Sequence, residues 1–587
     1  MTTPTTTPIT IGIDLGTTNS LVTAYIDNQP VLIPNAYGDL LTPSVVSFAD
    51  GQVLVGKAAK ERLQTHPDST QATFKTDMGT ERTYTLGKKK FTPQELSSFV
   101  IRQLVTDAQT YLGQAIDEVI VSVPAYFSTK ARMATKQAGQ LAGVNVERLV
   151  NEPSAAALSV WQPDTDIAFI VFDFGGGTLD VSVVECFDNV INICAIAGDN
   201  RLGGHNFDQL IAEDILATHN LSPKSLSPQD KQTLLKTAET AKIALSTADT
   251  CDVQVSLGGA QYTYQLTMDK LRQLSTGIFG RMRQTLDRAV RDSGLDIGAV
   301  EYCLLVGGSS AMPLIESYLH ENLKIPVIAD ANLDTVVAKG LGIYAGIKAR
   351  HESVRALVLS DVCPFSLNVN INNDQQPNRE YSQVIIPRNT TLPTKKTRSF
   401  VTLRPGQTTV QFKINQGEGM YIDENLPLGK MSVRVPYNKT ELEEVLVSFY
   451  YDINALLIVT VQVVSTGEEH NLLVDSNDKL TASQLEKRKA ELLSQTIGFV
   501  SEIDLLQTRA QRLFQMAGDD LKPALLATVR ELETLRHTNS LKLVKDTLIQ
   551  LAHYLDQIEH VAHSQTAFAY RNLSLVSDDT TEDEAHE

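Results

Sequence analysis

Apolar and polar positions follow three successive rhythms along the chain. From Ile9 to Ala349, short apolar runs alternate with stretches of helical spacing. Glu118 to Val123 predicts a strand and Lys130 to Ala142 a helix; Tyr302 to Val306 predicts a strand and Met312 to Leu323 a helix. That alternation predicts an α/β domain with covered sheets, and its length calls for two lobes. From Val362 to Leu473 the pattern turns to two-residue alternation, with strands expected at Thr408–Ile414, Met431–Val435 and Leu456–Val461. Thr481-Ala482-Ser483-Gln484 then offers capping-box chemistry. Helices are expected over Thr481–Gln495, Phe499–Met516 and Lys522–His563, where Leu525, Val529, Leu532 and Leu535 recur on one face. The expected order is a disordered lead-in (1–8), an α/β domain (9–355), a short apolar linker (356–361), a β-sandwich (362–476), a helical segment (477–572) and an acidic disordered tail (573–587).

Composition narrows the function classes. The 587 residues carry a formal net charge of −18, which argues against general affinity for nucleic acid or anionic membranes. No apolar run approaches membrane-spanning length, and the threonine-rich start lacks the basic and apolar regions of a secretory signal. Cys186, Cys194, Cys251, Cys303 and Cys363 form no C-x-x-C pair. Buried free thiols in a reducing cytoplasm are expected, and structural zinc is not.

The chemistry lies in a motif that occurs twice. Ile9–Gly12 reads as a strand and leads into Ile13-Asp14-Leu15-Gly16-Thr17-Thr18-Asn19; Ala168–Val171 leads in the same way into Phe172-Asp173-Phe174-Gly175-Gly176-Gly177-Thr178-Leu179-Asp180. A strand-end Asp can hold a hydrated metal ion. Glycines let backbone N–H groups close on a phosphate, and the threonine hydroxyls add donors. Two such hairpins facing each other would grip one nucleotide, which suggests an ATPase built of two similar halves. A third glycine turn, Leu304-Leu305-Val306-Gly307-Gly308-Ser309-Ser310, again ends a strand and suits a phosphate or a nucleotide's sugar.

With these residues in view the chain resembles the heat shock protein 70 chaperones of DnaK type. Ile13–Ser20, Val171–Ser182 and Leu305–Pro313 resemble the three family signatures in order. Val123–Phe127, Asn151–Ala157 and Gly198–Gly204 fit as well. The Phe74–Gly79 segment, the Tyr451-Asp452-Ile453-Asn454 turn and the short helical end look most like the bacterial HscC branch. The resemblance implies a two-lobed actin-like (ribonuclease H-like) ATPase domain, a β-sandwich that binds peptide and a short helical lid. It implies ATP or ADP with Mg2+, and admits K+. Asp14 and Asp173 would hold Mg2+ through its waters. Gly16, Thr17, Thr18 and Asn19 would wrap the phosphates from one side, and Gly175, Gly176, Gly177 and Thr178 from the other, with Gly203 and Gly204 nearby. Lys75 would face the γ-phosphate and the attacking water, and Glu152 and Asp180 would complete the polar shell. Glu239, Lys242, Ser246, Gly307, Gly308, Ser309 and Asp334 fall on the adenosine positions. The chain departs from the pattern at Ala311 and Ile243, where relatives carry an arginine that stacks on adenine.

The resemblance also implies an allosteric relay through Pro124, Arg132 and Glu152, and a surface for a J-domain co-chaperone at Arg148, Asn151 and Asp361. Leu357-Val358-Leu359 reads either as the strand entering the β domain or as a switch that inserts into the ATPase lobes, with Ser360 where the family has a further leucine. The peptide groove falls on Val369, Phe400, Val410 and Phe412, under an arch of Asn372 and Leu403; plain sandwich core is the competing reading for the first four. Expected partners are extended apolar polypeptides, the J-domain protein and a nucleotide-exchange factor. The competing functions for a two-lobed ATPase are a small-molecule kinase and a filament-forming protein; neither has use for a β domain and a lid.

Overall fold

The computed structural model describes residues 9–49, 51–162, 165–329, 332–372, 379–473, 482–517, 521–536, 538 and 541–563. The expected disordered lead-in and acidic tail lie outside the described residues, as does Thr481 of the expected capping box. Two compact units emerge, one of Met1–Phe207 with Ser275–Phe499 and one of Asp208–Leu274 with Val500–Glu587.

The first unit contains one strand plan used twice. In one sheet Ile11–Asp14, Asn19–Ile26 and Gln29–Ile33 form an antiparallel meander, and Glu118–Val123 and Asn145–Asn151 extend it in parallel on the other side of Ile11–Asp14. In the other, Ile167–Phe174, Leu179–Phe187 and Val190–Asp199 form the meander, and Tyr302–Val306 and Val327–Ala329 the parallel extension. The expected duplication is therefore present in the topology as well as in the motif. Near-continuous apolar runs such as Phe169-Ile170-Val171-Phe172 are buried throughout, as strands covered on both faces require. The parallel crossovers pass through helices with explicit signals. Thr92 and Glu95 form a capping box ahead of Pro93–Leu112, which ends at Gly113 in the left-handed region.

Two helices, Glu152–Val160 and Val336–Lys348, meet within this unit through small residues, Ala155 on one and Gly340 on the other. A Cβ at Gly340 would fall 1.7 Å from the Ala155 carbonyl oxygen, so the two backbones touch at this point. A separate three-stranded sheet of Gln52–Val55, Val46–Ala49 and Thr70–Gln71 lies in the same unit.

The β region forms two four-stranded antiparallel sheets. Their orders are Tyr381–Ile386, Leu367–Ile371, Thr409–Gln416, Leu426–Arg434 and Thr394–Val401, Glu444–Tyr451, Leu457–Val463, Glu469–Leu473. Alternate residues of Glu444–Tyr451 and Leu457–Val463 are buried, as in a sandwich. This region is bonded to the α/β part. The Thr129 N–H donates to Gln416 Oε1 (3.2 Å), the Leu149 N–H donates to Asn454 Oδ1 (2.9 Å), and Arg388 pairs with Asp292 at 2.8 Å. Those bonds hold 362–473 in the same compact unit as the two α/β sheets.

The second unit contains the hairpin of Thr250–Leu257 and Ala260–Thr267, the helices Pro228–Ala244 and Met268–Leu274, and the C-terminal helices. Asp214, on the helix Gly204–Thr218, accepts from Tyr264 Oη of the hairpin at 2.5 Å and from Lys270 Nζ of the helix that follows it at 2.6 Å. The C-terminal helices depart from expectation twice. Phe499–Met516 begins later, at Glu502, because Ser501 caps it and accepts from the Asp504 N–H. Lys522–His563 is two helices, Lys522–Leu535 and Leu541–His563, broken around a polar stretch. Leu506, Leu513, Leu525, Leu532, Leu551 and Leu555 form their shared core. Among the described residues no helix is long and apolar enough to cross a membrane. All five cysteines are free and all but Cys194 are buried.

Replacing Gly340 with alanine should destabilise the first unit by on the order of 3 kcal/mol, although alanine is the better helix former by about 1 kcal/mol. Chemical denaturation followed by tryptophan fluorescence measures this; an unchanged or raised midpoint would show that the crossing tolerates the methyl group.

Candidate functional site

The duplicated hairpins meet. A Cβ at Gly176 would lie 2.3 Å from Thr18 Oγ1, and one at Gly177 would lie 2.8 Å from Thr76 Cγ2 and 3.3 Å from Thr17 Cγ2. Glycine is required here because the opposite turn occupies the space of a side chain. Gly203 adds a third wall, with the Gly177 nitrogen 2.3 Å from its would-be Cβ; Gly204 N–H donates to the Gly175 carbonyl at 3.0 Å. Gly16 closes on Asn19 through the first turn. At the third turn Gly307 has φ 81° and lies against Asp173 Oδ1, and Gly308 lies against Asp334 Oδ1.

Carboxylates concentrate beneath these turns. Asp14, Glu152, Asp173 and Asp180 are all under 10% exposed, and Lys75 is the ammonium among them, its Nζ 2.6 Å from Glu152 Oε1 and over the Phe127 ring. Ser122 Oγ donates to Asp14 Oδ1 at 2.7 Å. The Ala125 and Tyr126 N–H groups donate to Asp180, each at 3.2 Å. Burial, and then the charge of Glu152, push Asp14 and Asp180 up to about 7; the same two causes hold Asp173 well above the ordinary carboxylate range.

This is a site with surplus negative charge and one internal cation, so the donor set fits a metal ion. Among the described residues no three His, Cys, Asp or Glu side chains converge as a direct cage. A hydrated Mg2+ held through its waters suits such spacing better than a bare ion.

The residues on the adenosine positions divide between the units. Gly307, Gly308, Ser309 and Asp334 belong to the first; Glu239, Lys242 and Ser246 belong to the second. Within the second unit Glu239 pairs with Lys236 at 3.0 Å, and the buried Lys242 pairs with Asp208 at 2.6 Å. Ile243 is exposed, as is Ala311 in the first unit.

From Asp180 a bonded path runs to the linker. The Ala125 backbone that caps Asp180 also accepts from Arg132 NH2 through its carbonyl, at 2.9 Å. Arg132 is 1% exposed and donates to Asn151 Oδ1 at 2.6 Å; Asn151 Nδ2 donates to Asp361 Oδ2 at 2.7 Å. Ser154 Oγ donates to the same oxygen at 3.0 Å. Pro124 begins the turn at the head of this path and accepts from the Phe127 N–H. The sequence places Arg148, Asn151 and Asp361 on a co-chaperone surface; here all three are buried. Two of them are bonded to each other, and Arg148 lies over the Tyr344 ring. The linker pairs with the α/β sheet, where Val358, Leu359 and Ser360 run parallel to Val190, Ile191 and Asn192 with Leu357 buried, and its last residue, Asp361, accepts from the Leu392 N–H of the β region at 2.8 Å.

In the sandwich, Val369 and Phe412 are buried core residues, and Phe400 and Val410 pack partly buried against that core, Phe400 edge-on to Phe412 at 5.8 Å. Leu403 and Asn372 are exposed.

Two serines were missed in the sequence. Ser122 interrupts the apolar run of Glu118–Val123, and a buried hydroxyl in a central strand is itself a signal. Ser44 donates to the Gly16 carbonyl at 2.7 Å and its N–H to the Thr18 carbonyl at 2.8 Å; nothing local marks it.

A family model described as Hsp70 protein matches residues 10–86 and 80–566. The chain belongs to the Hsp70 family. Proteins of the Hsp70 family are ATPases and chaperones that bind ATP or ADP with Mg2+, and the glycine cradle and acidic cluster are where an Hsp70 protein of this sequence has matching chemistry.

Because Asp14 and Asp180 titrate near 7 when folded and from 3.8 when unfolded, the native state binds more protons between those values. Stability of the metal- and nucleotide-free protein should therefore fall as pH rises from about 4 to about 7. Thermal melts across that range check the sign. Asp180→Asn should flatten the slope, and Mg2+ should stabilise more at the upper end; a midpoint that climbs through the window contradicts the assignment.

Proposed function

We propose that this Hsp70 protein is a DnaK-type chaperone of the HscC branch, in which Mg2+-ATP turnover governs the grip of the β-sandwich on extended apolar polypeptide. The observation that carries the reading is the bonded path from the acidic cluster to the linker: Asp180, the Ala125 peptide, Arg132, Asn151, Asp361.

In this reading the α/β part is a two-lobed actin-like ATPase domain. Asp14 and Asp173 would hold a hydrated Mg2+, which would neutralise phosphate charge. The threonines and glycines of both hairpins orient the β- and γ-phosphates by N–H and O–H donation. Phosphoryl transfer needs positioning and charge neutralisation more than covalent help. Lys75 serves both needs: its ammonium, now on Glu152, is within reach of the cluster that faces the phosphates. Gly308, Ser309 and Asp334 would serve the adenosine from the first unit, which has Ala311 and no arginine there; Glu239, Lys242 and Ser246 are the adenosine positions of the second unit, with Ile243 in place of an arginine.

Loss of the γ-phosphate alters the charge around Asp180 and Glu152. Glu152 begins the helix for which Asn151 is the preceding residue, so a shift at the cluster is felt at the Asn151–Asp361 bond. The pairing of Val358–Ser360 with Val190–Asn192 supports the docked member of a docked–undocked pair. With Arg148, Asn151 and Asp361 buried in it, a J-domain co-chaperone would meet these residues only as docking loosens. The helices beyond 482 would serve as a short lid, and Leu403 and Asn372 as an arch over the client. Free cysteines suit a reducing bacterial cytoplasm, and a nucleotide-exchange factor is an expected further partner.

Lys75→Ala should lower kcat for ATP by more than about 10²-fold while ATP affinity changes by less than about tenfold. Single-turnover hydrolysis and equilibrium nucleotide binding measure the two. Phosphate delivered to a small molecule, or ATP-dependent pelleting, would overturn the chaperone reading.

Asp361→Ala removes the acceptor of Asn151 and Ser154 inside the junction. It should leave hydrolysis present but blunt the ATP-driven release of a fluorescent apolar peptide at least several-fold. Release at the wild-type rate would remove Asp361 from the path.

A further inference from the structure

The strand Thr394–Val401 lies at the edge of its sheet, beside Glu444–Tyr451. Directly paired residues of antiparallel strands share a face of the sheet. Thr394, Lys396, Arg398 and Phe400 stand opposite Tyr451, Phe449, Val447 and Val445, all four of which are buried in the sandwich core. The register therefore puts Lys396 and Arg398 on the inner face, in one file with Phe400. Phe400 packs against the core, edge-on to Phe412, while both cations are exposed. Val401 and Leu403, just beyond Phe400, are 53% and 63% exposed. Exposed apolar side chains thus stand at one end of the file and two cations toward the other.

Charge in this stretch runs against the rest of the chain. Lys395–Arg404 holds four cations and no carboxylate in ten residues, within a chain of net charge −18. Among the described residues Lys396 and Arg398 make no ion pair and no side-chain hydrogen bond. Other cations of the β region are answered: Arg379 pairs with Glu424 at 3.1 Å, Arg388 with Asp292 at 2.8 Å, and Lys413 with Glu380. Inward-pointing charge guards an edge strand against self-association. It also sets a positive field along the path of any extended segment seated at Phe400. At the rise of a strand, Arg398 and Lys396 stand about 7 and 13 Å from Phe400 along that path.

We infer that Lys396 and Arg398 select the clients of this groove: extended segments that carry Asp or Glu two to four residues to one side of the apolar residue seated at Phe400. The apolar residue supplies the buried surface, and the carboxylates fix register and direction. A segment bound in the reverse sense would carry its acids away from both cations. The inference rests on the peptide-binding reading above and names its substrate class; the experiment separates the two. Fluorescence anisotropy on the full-length protein with ADP compares labelled peptides that share one leucine-rich centre. The flanking residues are Asp on one side, Asp on the other side, Ser, or Lys. One Asp placement should bind about three- to tenfold tighter than the Ser peptide at low salt, and the gain should vanish at about 1 M salt. Lys396→Glu with Arg398→Glu should transfer the preference to the Lys peptide. Lys396→Gln with Arg398→Gln should abolish it, with the Ser peptide bound within about twofold of wild type. Equal affinities across the flanks, an equal gain for both Asp placements, or a preference that survives the Gln variant overturns the inference and leaves the cations as guards of the edge. A wild type that binds none of the peptides overturns the peptide-binding reading instead.

Discussion

Everything in the first unit is arranged around an electrostatic deficit. Asp14, Glu152, Asp173 and Asp180 are buried within reach of one another, and Lys75 supplies a single positive charge. Left alone, such a cluster relieves itself by taking up protons, which is what the raised Asp14 and Asp180 record. A divalent cation relieves it without protons. The site is therefore built to be incomplete, and what completes it changes the charge felt by Asp180, by Glu152 and by the peptide groups bonded to them.

That sensitivity matters because the neighbours of the cluster are not soft. Asp180 is held by two backbone amides, and the same turn is held by the fully buried Arg132. Arg132 has no carboxylate on it directly. Its charge is answered by Asp361 through the amide of Asn151, which accepts on one side and donates on the other. A buried cation and a buried anion bridged by one amide form a unit in which removing any member leaves the others unsatisfied. The backbone contact of Gly340 with Ala155 ties the helix that carries Glu152 and Ser154 to its crossing partner, so the path lies on rigid elements.

How much of this was legible in the sequence depends on how local its cause is. The two hairpins and the third turn were legible because strand, Asp, glycine and hydroxyl are contiguous in each. The duplicated sheet plan followed from the same repetition. Lys75 carries no local signal: it reaches the acidic cluster from the four-residue turn Phe74–Asp77 behind a small sheet, and only resemblance to the family singled it out. The burial of Arg148, Asn151 and Asp361 was illegible because it arises where distant stretches of chain meet: Asn151 bonds Asp361 from 210 residues away, and Leu149 beside them bonds Asn454 from 305 residues away. The helix ends at 494–495 and 499–501 misled because apolar spacing runs on past both true ends, while 496–498 fell between the two expected helices. Ser501, a stronger cap further on, and the Val53 edge, which offers backbone partners, together decide against helix there. Val369 and Phe412 show the limit of pattern in the sandwich, where one alternation serves both a core and a groove.

The interleaving of the two units has a consequence for how the molecule is made. Asp208–Leu274 shares its compact unit with residues from Val500 onward, while everything between belongs to the other unit. At ribosomal speeds of about 5–20 residues per second, the partner of that early segment emerges roughly 10–45 s after it. For that interval the hairpin and helices of 208–274 wait on a nascent chain whose intervening β region is itself still forming. Such an order of assembly makes the last helices a checkpoint for completion: a chain cut short before them leaves an early segment permanently without its neighbours.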